Sequence, residues 1–189
     1  MGALPLTDNS DLGRKILVAG QGGKSTLARA IAADLGLPFI ELDAIYWLPN
    51  WGERTTEDFR EQVQKAIDEH PAGWVIDGNY GGPLEGQVAR QAETVIYVNM
   101  PWRVLFWRTF WRSIARAYDK RIICGDNTES WRKTFFSSDS LLWYLIRNRS
   151  RYGKTRTNQL SGWCGDARMI ELVGRGALDE FYEERGLVR

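Results

Sequence analysis

The side chains best placed for chemistry in this chain are cations and carboxylates gathered around one glycine-rich turn. Gly20-Gln21-Gly22-Gly23-Lys24-Ser25-Thr26 follows an apolar run from Lys15 to Ala19 and opens a helical pattern. Glycines in such a turn let backbone N–H groups converge on an anion, and the helix N-terminus adds unpaired donors and a positive dipole end. Lys24 would then reach the outer phosphates of a nucleoside triphosphate, while the Ser25 hydroxyl would ligate Mg²⁺. The usual pattern, G-x-x-x-x-G-K-[ST], has its first glycine six positions before the lysine. Val18 stands there, and the first glycine is Gly20, so the loop is two residues short. Its first bend must be made differently, or its cradle is smaller. A glycine-rich turn that binds nothing is the competing reading; the flanking strand and helix favour phosphate binding.

Two carboxylates occupy comparable places downstream. Asp77 closes the apolar run Trp74-Val75-Ile76 and precedes Gly78-Asn79-Tyr80. A carboxylate at a strand end beside a phosphate loop can hold Mg²⁺ or its water shell. It could instead cap the Gly78-Asn79 turn, but its pairing with the loop favours the metal role. Asp43, in Glu41-Leu42-Asp43-Ala44-Ile45-Tyr46-Trp47, would accept a proton from an attacking hydroxyl or hydrogen-bond an acceptor substrate. Helix capping is an equally good account of it. Tyr46, Trp47 and Trp51 would form a stacking wall for a ring, or else belong to the core.

Pro101 opens a helical segment from Trp102 to Tyr118 in which Trp102, Phe106, Phe110, Ile114 and Ala117 share one face. Arg108, Arg112 and Arg116 recur every fourth residue on the opposite face. Aligned guanidiniums repel one another unless an anion or acids neutralise them. Phosphoryl transfer uses such cations, because charge spreads over the oxygens of the transferred group. An anion-closing role therefore ranks first and a solvated face second. Third is a polyanion or membrane-surface patch joined by Trp107, Trp111, Arg147, Arg149, Arg151, Lys154 and Arg156. Asp119, Asp126, Glu129 and Asp139 weigh against that patch.

The elements that must position these groups alternate. Lys24 to Leu35 reads as a helix stopped by Gly36 and Pro38. A short strand, Phe39 to Leu42, leads into Asp43. Thr55 or Thr56 caps a helix with Asp58 as capping-box acid, and Phe59, Val63, Ala66 and Ile67 form its buried face. Trp74–Asp77, Thr94–Val98 and Met169–Val173 are further strands, with a final helix from about Ala177. Strand–helix alternation predicts a five-stranded, mostly parallel α/β sheet with helices on both faces. Ligands then collect at the carboxyl ends of the strands, where Gly20, Asp43 and Asp77 all fall.

Length and composition bound the rest. The 189 residues suit one domain, and a net charge of +1 does not advertise nucleic-acid binding. Cys124 and Cys164 are the two cysteines, with neither metal-ligand spacing nor a disulfide framework, which reads as reduced thiols in a cytoplasmic protein. His70 is the sole histidine and lies in a helix-ending turn, so histidine-based catalysis is not expected. No 18-residue apolar run suggests a membrane span. Residues 1–13 read as a flexible leader without signal-peptide pattern, and 14–189 as a single domain with a helical insertion at about 102–165.

With these motifs in hand, the chain resembles the small adenylate-kinase-related P-loop kinases, often labelled topology modulation protein or predicted nucleotide kinase. The similar stretches are Gly22 to Arg29, Leu42 to Trp47, Trp74 to Tyr80, Thr94 to Pro101 and Gly125 to Arg132, spread over most of residues 14–150. Trp-Val-Ile-Asp-Gly-Asn-Tyr is the specific one; the phosphate loop is shared by very many NTPases. The resemblance implies a nucleotide-kinase-like P-loop fold, ATP and Mg²⁺ as cofactors, and a mobile lid whose arginines come from the 108–121 region. It also implies that Arg175, just past the last strand, packs against adenine. The expected activity is transfer of the γ-phosphate of ATP to a small acceptor, possible examples being a nucleotide or nucleoside. Lys24 and the loop amides would hold phosphates, Ser25 and Asp77 the metal, Asp43 the acceptor, and Arg108, Arg112 or Arg116 the transferring group. The alternative is a catalytically weak nucleotide-binding switch or nucleic-acid-associated module.

Overall fold

In a computed structural model, residues 9–49, 52–119 and 162–189 are described, with short pieces at 122–123, 127–128 and 146–147. Five strands form one sheet: β1 (Lys15–Gln21), β2 (Phe39–Glu41), β3 (Trp74–Asp77), β4 (Thr94–Asn99) and β5 (Arg168–Val173). Their spatial order is β2-β3-β1-β4-β5, and every neighbouring pair is parallel. The sheet is thus wholly rather than mostly parallel. Helices α1 (Lys24–Leu35), α2 (Leu42–Tyr46), α3 (Thr56–Asp68), α4 (Gly81–Leu84), α5 (Trp102–Asp119) and α6 (Gly174–Glu184) flank it. Two short antiparallel pairs stand apart from this sheet, Trp47–Leu48 with Gly52–Glu53 and Ile122–Ile123 with Asn127–Thr128.

The interior strands are continuous apolar runs because both their faces are covered. On one face Ile16 and Val18 of β1 pack with Leu27 and Ile31 of α1, Leu105 of α5, and Leu178 and Phe181 of α6. On the other, Leu17, Trp74 and Ile76 pack with Phe59, Val63 and Ile67 of α3 and with Leu84 and Val88. Neighbouring β1 and β3 therefore send their following chains to opposite faces. A crevice opens between carboxyl ends where neighbouring strands diverge in this way, and ligands of parallel α/β sheets bind there.

Thr55 is the N-cap of α3, its side chain accepting from the Asp58 amide at 3.2 Å. The reciprocal half of the expected box is not made: the Asp58 carboxylate instead accepts from Arg54 at 2.6 Å and Gln62 at 3.2 Å. Helix α6 begins at Gly174, three residues before the expected Ala177, because Gly174 at φ +79° turns the chain directly out of β5. Among the described residues no helix is long and apolar enough to cross a membrane.

Residues 9–12, expected within a loose leader, form a 3-10 turn whose Leu12 is fully buried. Asp11 in that turn accepts from Arg185 at 2.6 and 3.2 Å and from Arg168 at 3.1 Å. Arg185 is itself buried, so the carboxylate joins the start of the domain to its last helix. Its hydrogen bond from Arg185 holds the Asp11 carboxyl below the ordinary range, against the opposing effect of burial and with help from Arg168. A depressed folded value contributes stability that is present above the unfolded aspartate range and lost as pH falls through the folded value. Asp11→Asn is expected to lower unfolding free energy by about 1–2 kcal/mol near neutral pH. The deficit should close on acidification. Urea titrations at about pH 7 and about pH 3 check this, and an equal deficit at both would assign the loss to packing.

Candidate functional site

The glycine turn is built on a strand that runs further than the sequence suggests. Gly20 and Gln21 remain in β1, paired with Val98 and Asn99 of β4, so the turn proper is only Gly22-Gly23 before α1 opens at Lys24. Gly20 has φ +101°, and a Cβ there would fall on the Val98 carbonyl. At Gly22, φ is +85° and a Cβ would come within 2.6 Å of Met100. Both positions require glycine on backbone and steric grounds. The chain thus passes from β1 to α1 through two positive-φ glycines, Gly22 and Gly23. Gly23, the N-cap of α1, supplies no side-chain hydrogen bond to the first turn, leaving its amides to other acceptors.

Lys24 donates from Nζ to Asp77 Oδ1 at 2.8 Å, and its Nζ lies 3.5 Å from Ser25 Oγ. Asp77 is completely buried, while the Lys24 side chain retains 16% exposure. The second carboxylate oxygen, Oδ2, is buried without a hydrogen-bond partner among the described residues. A buried, half-satisfied carboxylate carries a desolvation cost that a cation would relieve. The turn-capping account of Asp77 is not seen: the Gly78 amide donates to Val18 O at 3.2 Å. Among the described residues no cluster of three or more Asp, Glu, His or Cys could hold a metal. The donor set, one carboxylate oxygen and the Ser25 hydroxyl, therefore suits Mg²⁺ completed by phosphate oxygens and water rather than a protein-enclosed ion.

Asn79 locks the exit of β1. Its Oδ1 accepts from the Gly20 amide at 2.6 Å and its Nδ2 donates to the Gly20 carbonyl at 2.6 Å. One side-chain amide thus fixes the peptide groups on both sides of the strained glycine, a loop anchor supplied from β3. Asn79→Ala is expected to cost about 1–3 kcal/mol of stability. Urea unfolding of the variant checks this; an unchanged midpoint would show that the anchor does not hold the end of β1.

Asp43 lies in the first turn of α2, whose N-cap is Glu41, so it is not the capping residue. Its Oδ1 accepts from the Tyr80 hydroxyl at 2.7 Å. The Tyr80 ring packs at 4.8 Å from Tyr46 and 5.0 Å from Phe59. Tyr46 also meets Trp47 edge-on at 5.1 Å, and its hydroxyl donates to Glu53 at 2.8 Å, a bond that raises the phenol above its ordinary range. Tyr46 and Trp47 hence belong to an aromatic cluster behind Asp43; Trp51 lies outside the described residues.

Helix α5 brings Arg108 to the loop, where it donates to the Gly22 carbonyl at 3.0 Å. Arg112 lies on the same helix, as does Arg116, but both side chains fall outside the described residues. The face that α5 buries is Leu105 and Thr109, with Trp102, Phe106 and Phe110 half-buried in a stacked row alongside it. Trp107 and Trp111 are exposed. The first turn of α6 also borders the loop, since a Cβ on Gly23 would lie 3.1 Å from Leu178. Arg175 in that turn pairs with Asp179 at 3.4 Å and is 78% exposed. Gln21 is half-buried at the strand end and Thr26 is exposed on α1.

No family model and no curated protein matches the chain. The site accordingly stands on its own geometry. Hydrogen bonds gather Lys24, Ser25 and Asp77 and join Arg108 to Gly22, whereas Asp43 is tied to Tyr80 on the neighbouring β3–α4 loop. Sequence reasoning missed Asn79 and Tyr80 as site residues. Their signal was present in Asp77-Gly78-Asn79-Tyr80, two polar side chains immediately beyond a buried strand end, where a parallel sheet presents residues to a ligand.

Proposed function

We propose that this protein is a Mg²⁺-dependent phosphotransferase that moves the γ-phosphate of ATP onto the hydroxyl of a small acceptor. Its scaffold would be the P-loop kinase fold, adenylate-kinase-related, with α5 as base of an arginine lid. The observation that carries the reading is Asp77: fully buried, holding Lys24 with one oxygen and leaving the other without a hydrogen-bond partner among the described residues. A structural ion pair has no need of a half-satisfied carboxylate. A site waiting for a cation and phosphates does. The β2-β3-β1-β4-β5 order, with the turn at the central strand's carboxyl end, supports the same reading.

In this reading Lys24 turns from Asp77 to the outer phosphates while the amides of the α1 first turn bind their oxygens. Mg²⁺, when bound, supplies charge neutralisation between the β- and γ-phosphates, and Ser25 with Asp77 Oδ2 would hold it. Asp43 orients the acceptor hydroxyl and takes its proton. The acceptor oxygen forms a bond to the γ-phosphorus, and the bond from that phosphorus to the β–γ bridging oxygen breaks. ADP leaves with the electron pair. Arg108, already on the loop, offsets charge on the transferring group, with Arg112 and Arg116 as candidates further along the lid. Arg175 is the candidate neighbour of the adenine.

ADP release from Mg²⁺–ATP, with and without pooled nucleosides, nucleotides and small alcohols, tests the proposal. Release stimulated by one pool is the expected result. Nucleotide binding without acceptor-stimulated release would instead favour the binding-switch alternative, and no thermal stabilisation by Mg²⁺–ATP would remove nucleotide binding altogether.

A further inference from the structure

A cavity of about 200 Å³ lies on the α3 side of the sheet, under the carboxyl ends of β1 and β3. Its walls include Leu17, Leu42, Leu84 and Val88, together with the rings of Tyr80, Tyr97 and Trp163. Lys, Arg, Asp and Glu are all missing from its lining among the described residues. An apolar cavity of about 150 Å³ suffices for benzene, so this one has room for a single or small fused ring. Ligand pockets share this character: mostly apolar walls with polar groups converging at one end.

The cavity is tied to the candidate chemistry by Tyr80. That ring is part of its wall, while the Tyr80 hydroxyl is bonded to Asp43 at 2.7 Å. Asn79, the anchor of Gly20, lines it as well. The roof is Trp163, which reaches back from the far end of the insertion to lie against Gly81 and Gly86. A Cβ on Gly86 would come within 2.7 Å of Trp163, and a Cβ on Gly81 would collide with its indole. At Gly82, also in the wall, a Cβ would meet nothing within 4 Å, so packing does not account for glycine there. It leaves the wall open instead.

We infer that this cavity is the acceptor pocket, and that it takes an uncharged planar ring whose hydroxyl-bearing substituent extends past Tyr80 to Asp43. Three aromatic walls favour a flat partner. With no cation among its described lining residues and three aromatic rings around it, the pocket suits a ring better than a phosphate, so the buried part of the acceptor is the ring of a nucleoside-like or other cyclic alcohol. That the ring belongs to a phosphate acceptor rests on the phosphotransferase reading; that the cavity binds a ring does not.

The full-length protein with ¹³C-labelled leucine and valine methyls, titrated with indole as probe, separates the two. Saturable shifts at Leu17, Leu42, Leu84 and Val88 are expected, and Ala89→Leu, which fills the wall, should weaken indole binding at least tenfold. No shifts up to the solubility limit, or shifts confined to other methyls, overturn the pocket. Undiminished binding in a folded Ala89→Leu protein does the same. Should that variant not fold, the wild-type shift pattern decides alone. A parallel titration with Mg²⁺–ATP, read at the Gly22 and Gly23 amides, shows whether the nucleotide site fails independently. If both ligands bind, ring alcohols should stimulate ADP release and Ala89→Leu should raise their KM at least tenfold. Stimulation only by acyclic alcohols would sever the cavity from the acceptor.

Discussion

Replacing Lys24 by alanine is expected to lower ATP turnover by about 10³-fold or more, because the cation facing the transferred phosphate is lost from a preorganised site. It should also destabilise the protein by about 3 kcal/mol. The physical cause of the second effect is an asymmetry in burial. Asp77 has no exposure, and among the described residues Lys24 is the partner of its carboxylate, so its negative charge would be left uncompensated. Asp77→Asn is a different case, since Lys24 keeps 16% exposure and can turn its ammonium to water. That variant should lose only about 1 kcal/mol while losing Mg²⁺-dependent turnover as fully as Lys24→Ala. Coupled ADP assays and urea unfolding of both variants check the pair of effects. Turnover retained in Lys24→Ala would sink the phosphate-loop assignment. Equal stability losses would show that the pair is not limited by the buried carboxylate.

Asp43→Asn should lower kcat by about 10²–10⁴-fold, the usual range for a positioned acid–base group. KM for ATP should change little, because among the described residues Asp43 bonds to Tyr80 and not to the Gly22–Ser25 turn itself. Tyr80→Phe removes the hydroxyl that holds the Asp43 carboxylate at 2.7 Å but leaves the ring in place. Its loss should be smaller, about tenfold in kcat. A merely structural Asp43 makes the opposite forecast: with Tyr80 the main beneficiary of the contact, both variants would lose stability together and keep their turnover. Steady-state kinetics alongside thermal unfolding separates the two accounts.

The elements of the sheet were legible because each interior strand is apolar on both faces and each amphipathic helix carries its own stop. Gly36 adopts the left-handed conformation that ends α1, and Phe59, Val63 and Ile67 fill one side of α3, both as their spacing demands. Leu12 and Asp11 were not legible as part of the domain. Their contribution depends on Arg168 and Arg185, more than 150 positions away, and no local pattern encodes that contact. The same holds for α5, where helical periodicity located the arginines, but the burial of Leu105 and Thr109 depends on which side of the helix meets the sheet.

The shortened loop shows the division most clearly. Sequence alone determined that glycines, a lysine and a serine sit between a buried strand and a helix, and that two acids follow later strands at comparable positions. Those are local facts, set by residue type and periodicity. Only the tertiary structure decided that β3 lies next to β1, since the pairing of Lys15 with Trp74, 59 positions on, is chosen by the packing of whole faces. That neighbourhood brings Asp77 to Lys24, lets Asn79 grip Gly20 at the end of β1, and sets a cavity lined by Asn79 and Tyr80 under the same strand ends.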